Sequence, residues 1–438
     1  MTEKSNFRYR EALEAAFPQA VEWRRILHKN AQPAWLEFFA TALVAEKLAG
    51  WGYEIKMGKE IIQAEKLLLL PDEKKLEEEY QRALKAGAKE KYLAPAKGGF
   101  TGVVATLQGV KPGPVVGFRF DIDANEVVEA SDPEHRPFRE GFASQNPGYA
   151  HMCGHDAHTA IGLLVAKCLA ENRAELCGTV KLIFQPNEEN LSGAAAMADK
   201  GAVDDVDFLL SGHVGVSLKK LGQISFNVKN IMALTRFEVT FTGRSAHAAG
   251  NPEAGKNALQ GACAAVANLL AIARHSEGAT RVNVGTMEAG TTWNVIPERA
   301  YFRMETRGET TEINQYMVKR AYEIIEGAAK MHDLRYEIKP AAISFGGESS
   351  PELAALAEQV AKRLPSVAEI VPVCDLSGSE DVTVFMERVQ KRGGKALFAM
   401  FGTPVYGGNH NSRFDIDERV IFNAADFYLA MYQEIAPS

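Results

Sequence analysis

Four short apolar runs, each ending on groups that bind metals or move protons, set the tightest limit on what this chain can fold into. Residues 115–120 lead into Asp121 and Asp123, and residues 180–184 lead into Gln185-Pro186-Asn187-Glu188-Glu189. Residues 208–210 lead into Ser211-Gly212-His213, and residues 396–401 into a glycine-rich loop ending at His410. Helix-like stretches at 159–170 and 192–200 fall between the first three runs. Strand alternating with helix predicts an α/β domain with a mixed, largely parallel sheet and helices on both faces. In such sheets ligands collect beyond the carboxyl ends of the strands. A single histidine after a strand is usually a packed core residue. Four runs delivering Asp, Glu or His to one edge predict a site.

The densest cluster is His151-Met152-Cys153-Gly154-His155-Asp156-Ala157-His158. Cys153 and His155 are two apart, and on an extended backbone side chains at i and i+2 point the same way. The pair can therefore offer sulfur and nitrogen to one transition-metal ion. The competing reading is a polar helix start, in which Asp156 and His158 do no more than cap.

The middle of the chain is patterned differently. Phe237, Val239 and Phe241 alternate with Glu238, Thr240 and Thr242, as in a strand covered on one side. A helical stripe of Leu259, Cys263, Val266 and Leu270 follows, then strand-like runs at 281–287 and 300–306. A second helical stripe uses Ile313, Met317, Ala321, Ile324 and Ala328, before a last strand at 335–339. The order β-α-β-β-α-β is the split βαβ, ferredoxin-like pattern. It predicts a small domain at 229–341 inserted into a catalytic domain made of 1–228 and 342–438. The charge-rich stretch 71–93 carries Leu76, Tyr80 and Leu84 at helical spacing. It reads as a solvated surface helix within a long excursion, though such excursions can also overhang a pocket.

Composition narrows the function classes. At 438 residues the chain has room for two domains, and 46% hydrophobic with 24% charged residues is ordinary for a soluble globular protein. A net charge of −7 without a basic stripe argues against nucleic acid as a partner. The polar start, residues 1–20, lacks an apolar core and predicts no signal peptide. The longest aliphatic run, residues 67–70, is too short to span a membrane. Five cysteines without dense spacing fit a reducing cytoplasm. Cys153 alone has a reactive setting, and Cys168, Cys177, Cys263 and Cys374 read as small core hydrophobes.

Read together, Arg24-Arg25-Ile26-Leu27-His28, Arg119-Phe120-Asp121-Ile122-Asp123-Ala124, residues 151–158, 185–189, Ser211-Gly212-His213-Val214, 243–249, Asn294-Val295-Ile296-Pro297, Gly378-Ser379-Glu380-Asp381 and Asn409-His410-Asn411 span nearly the whole chain in order. In these motifs the chain resembles the amidohydrolase branch of the aminoacylase and carboxypeptidase metallopeptidases. Hippurate, auxin-conjugate and aminobenzoyl-glutamate hydrolases belong to that branch. Residues 135–144 and the end of the excursion at 97–102 carry a narrower likeness to the aminobenzoyl-glutamate hydrolases.

The resemblance implies two divalent metal ions, Mn2+ or Zn2+, held by Cys153, His155, Glu189, His213 and His410. It implies that Glu188 is the general acid/base, against the competing reading of Glu188-Glu189 as a solvated acidic pair. Adjacent side chains on an extended backbone diverge, so Glu188 can face substrate while Glu189 faces the ions. Asp123 matches the carboxylate that supports the metal site. Asp121 lies where distant relatives have a histidine ligand, a place taken by Cys153 here, and is left off the ligand set. The resemblance makes His247 an oxyanion donor to a neighbouring subunit's active site. Asn294 and Arg307 are turned toward the substrate's carboxylate and carbonyl, with a surface ion pair the competing reading for Arg307.

The implied activity is cleavage of the amide bond of an N-acyl amino acid, p-aminobenzoyl-glutamate first. Hippurate-like or indoleacetyl-aspartate-like substrates are the alternative, and a partner that has lost its chemistry is a further reading. The implied assembly is a homodimer, or a heterodimer with a similar subunit, paired through the inserted lid and dimerisation domain.

Overall fold

The computed structural model describes residues 7–437, so the first six residues of the polar segment 1–20 lie outside the described residues. The chain divides into two compact units. The larger is built from the chain up to Lys229, from Glu348–Leu376 and from Asp381 onward. The smaller is Asn230–Gly347 with Ser377–Glu380.

The larger unit is organised on an eight-stranded sheet. Its strands run in the order Glu54–Met57, Val103–Gln108, Cys177–Gln185, Lys111–Asp121, Phe208–Val214, Lys395–Phe401, Gln223–Ser225 and Glu369–Ile370. Cys177–Gln185, Lys111–Asp121, Phe208–Val214 and Lys395–Phe401 run parallel to one another, and antiparallel pairings flank them. Strand periodicity sorts the two faces. Leu397, Ala399 and Phe401 join a cluster with Leu163, Leu164, Phe427 and Tyr428, while Ala396, Phe398 and Met400 turn the other way. Helices Arg10–Lys29, His155–Glu171 and Arg419–Ile435 contact one another on the first face. Gly193–Ala198 and Val382–Lys391 pack together and cover the second. His155–Glu171 is buried almost all round, which is why its apolar run shows little one-sidedness.

The excursion is docked, not solvated. Leu76, Tyr80 and Ala83 of helix Glu73–Lys85 form a small core with Leu36, Phe38, Phe39 and Leu93. Buried Glu79 accepts hydrogen bonds from the Gln32 amide at 3.0 Å and the Asn146 amide at 2.7 Å. A cleft of about 790 Å³ beside this helix is lined by Gln32, Lys75, Glu79, Arg82 and Asn146 among others, and by none of the candidate ligands. The charge pattern concealed this docking because Glu79 is satisfied by residues far away in sequence.

The smaller unit is a four-stranded antiparallel sheet in the order Arg335–Ser344, Ala233–Thr242, Arg299–Gly308, Thr280–Ala289. Helices Ala258–Leu270 and Thr311–Met331 complete it. Phe237, Val239 and Phe241 pack with Phe302, Met317 and Ile325. One expected stripe faces the wrong way. Helix Ala258–Leu270 buries Ala258, Gly261, Ala262, Ala265 and Leu269, whereas Cys263 is exposed and Leu270 is 49% exposed. Both stripes have helical spacing, so periodicity alone does not choose between them. Close approach does: a Cβ on Gly261 would meet Leu334 Cδ1 at 2.3 Å. Among the described residues no helix is long and apolar enough to cross a membrane.

Candidate metal centre and active site

Parallel pairing brings the chemistry-bearing strand ends to one edge. Asp121 is in register with Gln185, and His213 with Met400, so the segments after these strands emerge together. The Cys153-Gly154-His155 run is shaped by its glycine. Gly154 has φ +93°, and a Cβ there would lie 2.8 Å from Val214 Cγ2. Helix His155–Glu171 starts immediately after it. Cys153 and His155 therefore converge across a left-handed turn, not along the extended backbone expected from their spacing.

Of the five triads of candidate donors among the described residues, two share the cysteine. Sulfur of Cys153 and nitrogens of His155 and His213 lie within 4.8 Å of one another, all on buried residues. Cys153 also stands within that distance of the Glu189 and His410 donors. Cys153 Sγ is 3.5 Å from His213 Nε2, and His410 Nε2 is 3.4 Å from Glu189 Oε2. His155 Nδ1 faces the Asp123 carboxylate at 3.2 Å, which points Nε2 inward. His213 Nδ1 donates to Val214 O at 2.9 Å and likewise frees Nε2. His410 has φ +59°, and its N–H donates to Met152 O at 2.7 Å, tying its loop to the Cys153 run. Two donor atoms, His155 Nε2 and Glu189 Oε1, are buried without any hydrogen-bond partner. Buried polar atoms are rarely left unpaired, and these two belong to residues that could hold a metal ion. Burial and the Glu189 charge push the Cys153 thiol up, but the His213 and His155 imidazoles outweigh them and hold it well below its usual range.

The remaining acidic and imidazole groups divide by their partners. Asp121 accepts from Arg119 at 2.7 Å and from His158 Nδ1 at 2.6 Å. His158 Nε2 accepts the Val214 N–H at 3.0 Å. Both His158 nitrogens are thus engaged, and the Asp121–His158 pair braces the backbone beside His213. Asp123 Oδ2 accepts the Glu189 N–H at 3.0 Å. Glu188 does not diverge from Glu189 in the way an extended backbone would require. Residues 188–191 form a turn after Asn187, whose φ is +53°. Glu188 Oε2 lies 3.9 Å and Glu189 Oε1 3.8 Å from His155 Nε2, so the two carboxylates flank one imidazole.

In the smaller unit His247 is exposed, and its Nδ1 accepts the N–H groups of Ala249 at 3.1 Å and Gly250 at 3.0 Å. The ring proton is left on Nε2, which makes that atom a donor. Asn294 is exposed on the neighbouring segment, its carbonyl accepting the Ala248 N–H at 3.0 Å. Arg307 is half-buried and donates to Glu305 at 2.9 Å.

Residues 117–434 match the peptidase family M20/M25/M40. The chain belongs to that family. As an M20-family peptidase it is a metal-dependent amide hydrolase. It is 45% identical over 417 residues to the indole-3-acetyl-aspartic acid hydrolase of Enterobacter agglomerans, covering 95% of each chain. One of the subunits of the p-aminobenzoyl-glutamate hydrolase of Escherichia coli K12 is 44% identical over 410 residues, covering 93% of this chain and 94% of that one. The crystal structure of an aminobenzoyl-glutamate utilization protein from Klebsiella pneumoniae superposes with TM-score 0.82 at 39% identity, covering 97% of both chains.

Sequence reasoning missed two supports of this M20-family site. One is a buried ion network. Arg24 reaches Asp156 at 2.9 Å and Asp415 at 2.8 Å, and His28 bridges Asp156 at 2.8 Å and Glu129 at 2.9 Å. The other is Glu37, fully buried beside the Gln185–Glu189 turn. Arg24 and His28 were legible only as a motif. Nothing in the spacing around Glu37 sets it apart.

Proposed function

We propose that this chain hydrolyses the amide bond of N-acyl amino acids, with p-aminobenzoyl-glutamate, giving p-aminobenzoate and glutamate, as the leading substrate. The observation that carries this reading is the pair of donor triads sharing Cys153, with Glu188 3.9 Å from the inward nitrogen of His155. Thiolate, imidazole and carboxylate donors, two of them buried and without a hydrogen bond, fit two divalent ions held by Cys153, His155, Glu189, His213 and His410. Sulfur and nitrogen donors suit Zn2+, and the Glu189 carboxylate also suits Mn2+. When bound, such a pair supplies Lewis acidity to the amide carbonyl and to the attacking water.

The protein's own groups do the rest. Glu188 takes the proton of the attacking water and returns it to the departing amine nitrogen. Asp123 fixes the ring of His155 and, through the Glu189 N–H, the start of the Glu189 side chain. His247 Nε2–H donates to the developing oxyanion of a neighbouring subunit's substrate, and Arg307 with Asn294 receives the substrate carboxylate and carbonyl. Residues 229–341 act as a ferredoxin-like lid and dimerisation domain, in a homodimer or with a similar subunit. Of its two sheet edges, Thr280–Ala289 lacks proline, whereas Arg335–Ser344 carries Pro340, which offers no N–H to a pairing strand. The setting is cytoplasmic.

A second reading, indole-3-acetyl-aspartate as substrate, is favoured by the equally close indole-3-acetyl-aspartic acid hydrolase. The deciding experiment reconstitutes the protein with Zn2+ or Mn2+ and measures kcat/KM on acyl-amino acids that vary the acyl group and the amino acid independently. Highest turnover of p-aminobenzoyl-glutamate supports the leading reading. Highest turnover of indole-3-acetyl-aspartate replaces it, and no hydrolysis of any member removes both.

A further inference from the structure

The turn that carries Glu188 is gripped from both sides by buried carboxylates. Downstream, Asp123 Oδ2 accepts the N–H of Glu189 at 3.0 Å. Upstream, Glu37 Oε1 accepts the N–H of Asn187 at 2.8 Å. Glu37 occupies the N-cap position of helix Phe38–Gly50, yet its side chain caps nothing there. Its second oxygen accepts the hydroxyl of Thr101 at 2.6 Å, and Glu37, Thr101 and Asn187 are all fully buried.

The gripped residue has a left-handed backbone. Asn187 has φ +53°, a left-handed conformation that costs a non-glycine residue free energy and persists only where its surroundings over-determine it. Its side chain donates to Ser192 Oγ at 2.6 Å and its carbonyl accepts from Gly193 N–H at 3.2 Å. The acceptor for its own N–H is Glu37. A buried N–H without an acceptor would lose this conformation's main support.

We propose that Glu37 is a positioning residue that holds the Asn187 turn and thereby sets where Glu188 presents its carboxylate. The inference rests on the reading of Glu188 as the general base. Glu37 acts through the backbone of Asn187, the residue immediately before Glu188. It also gives the end of the excursion a role, because Thr101, within residues 97–102, orients the Glu37 carboxyl. Burial and the nearby Asp123 charge push Glu37 up from the usual carboxylate range. A neutral carboxyl still accepts through its carbonyl oxygen, so the grip does not require a charge.

The test compares Glu37→Ala, Glu37→Met and Glu37→Gln with the parent, full-length and metal-loaded, on p-aminobenzoyl-glutamate and indole-3-acetyl-aspartate. Rate constants, metal ions per chain by mass spectrometry, and folding by circular dichroism are measured together. Loss of the acceptor in the Ala and volume-keeping Met variants should lower kcat about 10–100-fold, with KM changed by less than about threefold and metal content unchanged. Gln keeps an oxygen for the Asn187 N–H and an amide for Thr101, and should stay within about fivefold of the parent. Parent-like kcat in the Ala or Met variant overturns the inference. So does a Gln variant as slow as Ala, or a loss of rate in Met that follows lost metal or lost folded protein. Glu188→Gln is run alongside. If it turns over at the parent rate, the reading of Glu188 falls and the inference with it. If it is inactive while Glu37→Ala is fully active, the inference alone falls.

Discussion

Replacing Arg24 by Met should destabilise the larger unit and loosen its candidate ligands at once. Arg24 is wholly buried, and its guanidinium meets Asp156 at 2.9 Å, Asp415 at 2.8 Å and Glu418 at 3.2 Å. Removing one partner of a buried ion pair typically costs about 3–5 kcal/mol, because the charge left behind is uncompensated. Here each carboxylate keeps a second cation. Asp156 retains His28 at 2.8 Å, Asp415 retains Arg136 at 2.8 Å, and Glu418 retains Arg25 at 2.8 Å. The expected loss therefore sits at the low end, about 3 kcal/mol, or roughly 150-fold in the folding equilibrium. Urea unfolding followed by tryptophan fluorescence suits the measurement, since Trp23, Trp35 and Trp51 lie in the larger unit and Trp293 alone in the smaller. Asp156 follows His155 directly and Asp415 lies five residues beyond His410, so metal affinity should fall as well. Arg24→Lys should lose most of the same stability, because one ammonium cannot span three carboxylates. A loss below about 1 kcal/mol with full metal occupancy would refute the argument, since surface pairs already reach that value.

Further outcomes are expected. Glu188→Gln should keep both metals yet lower kcat by about 10²–10⁴-fold, measured by steady-state kinetics beside metal analysis; metal lost in step with rate would reverse the division of labour with Glu189. Cys153→Ala should weaken metal binding and make the rate depend on added metal, and unchanged occupancy and rate would reduce Cys153 to a packing thiol. Mixing Glu188→Gln with His247→Ala should restore about one quarter of parental activity, because half of randomly exchanged dimers are mixed and each has one whole site. Mixed dimers confirmed by native mass spectrometry without recovered activity would show that His247 does not serve a partner. Finally, burial lowers the His28 pKa, but Asp156 and Glu129 outweigh it and raise the ring to about 9. A group raised on folding stabilises fully below its unfolded value near 6.5 and loses that contribution as pH climbs through about 9. The parent's stability should therefore drop between pH 7 and 10 more steeply than that of His28→Gln.

Much of the larger unit could be read ahead of its structure because its grammar is local. An apolar strand followed by Asp, Glu or His is visible in a few residues, and parallel pairing then carries Asp121, Glu189, His213 and the loop to His410 to one edge. What stayed hidden is what the backbone does between these points. Gly154, Asn187 and His410 all have positive φ, and the last two are not glycines. Their conformations depend on remote acceptors, Glu37 for Asn187 and Met152 O for His410, which no window of neighbouring residues contains. Helix Ala258–Leu270 failed for another reason. Two stripes obey the same period, and the small residues that permit close packing carry a weaker hydrophobic signal than the large ones left outside.

The two triads differ in how far they stand from water, and this gives the proposed pair of cations an order of departure. His155 and His213 are 1% and 5% exposed, whereas the His410 side chain is 56% exposed on a loop. A chelator would meet the Cys153–Glu189–His410 position first, because the donors of the Cys153–His155–His213 position are all buried. Stripping should run in two phases, the first fast and the second slow. Cys153 belongs to both triads, so with the outer position empty its thiolate would be available to the inner one alone. A half-stripped protein would then hold its remaining cation more tightly than the full one does, and removing all metal would take far more chelator than removing half.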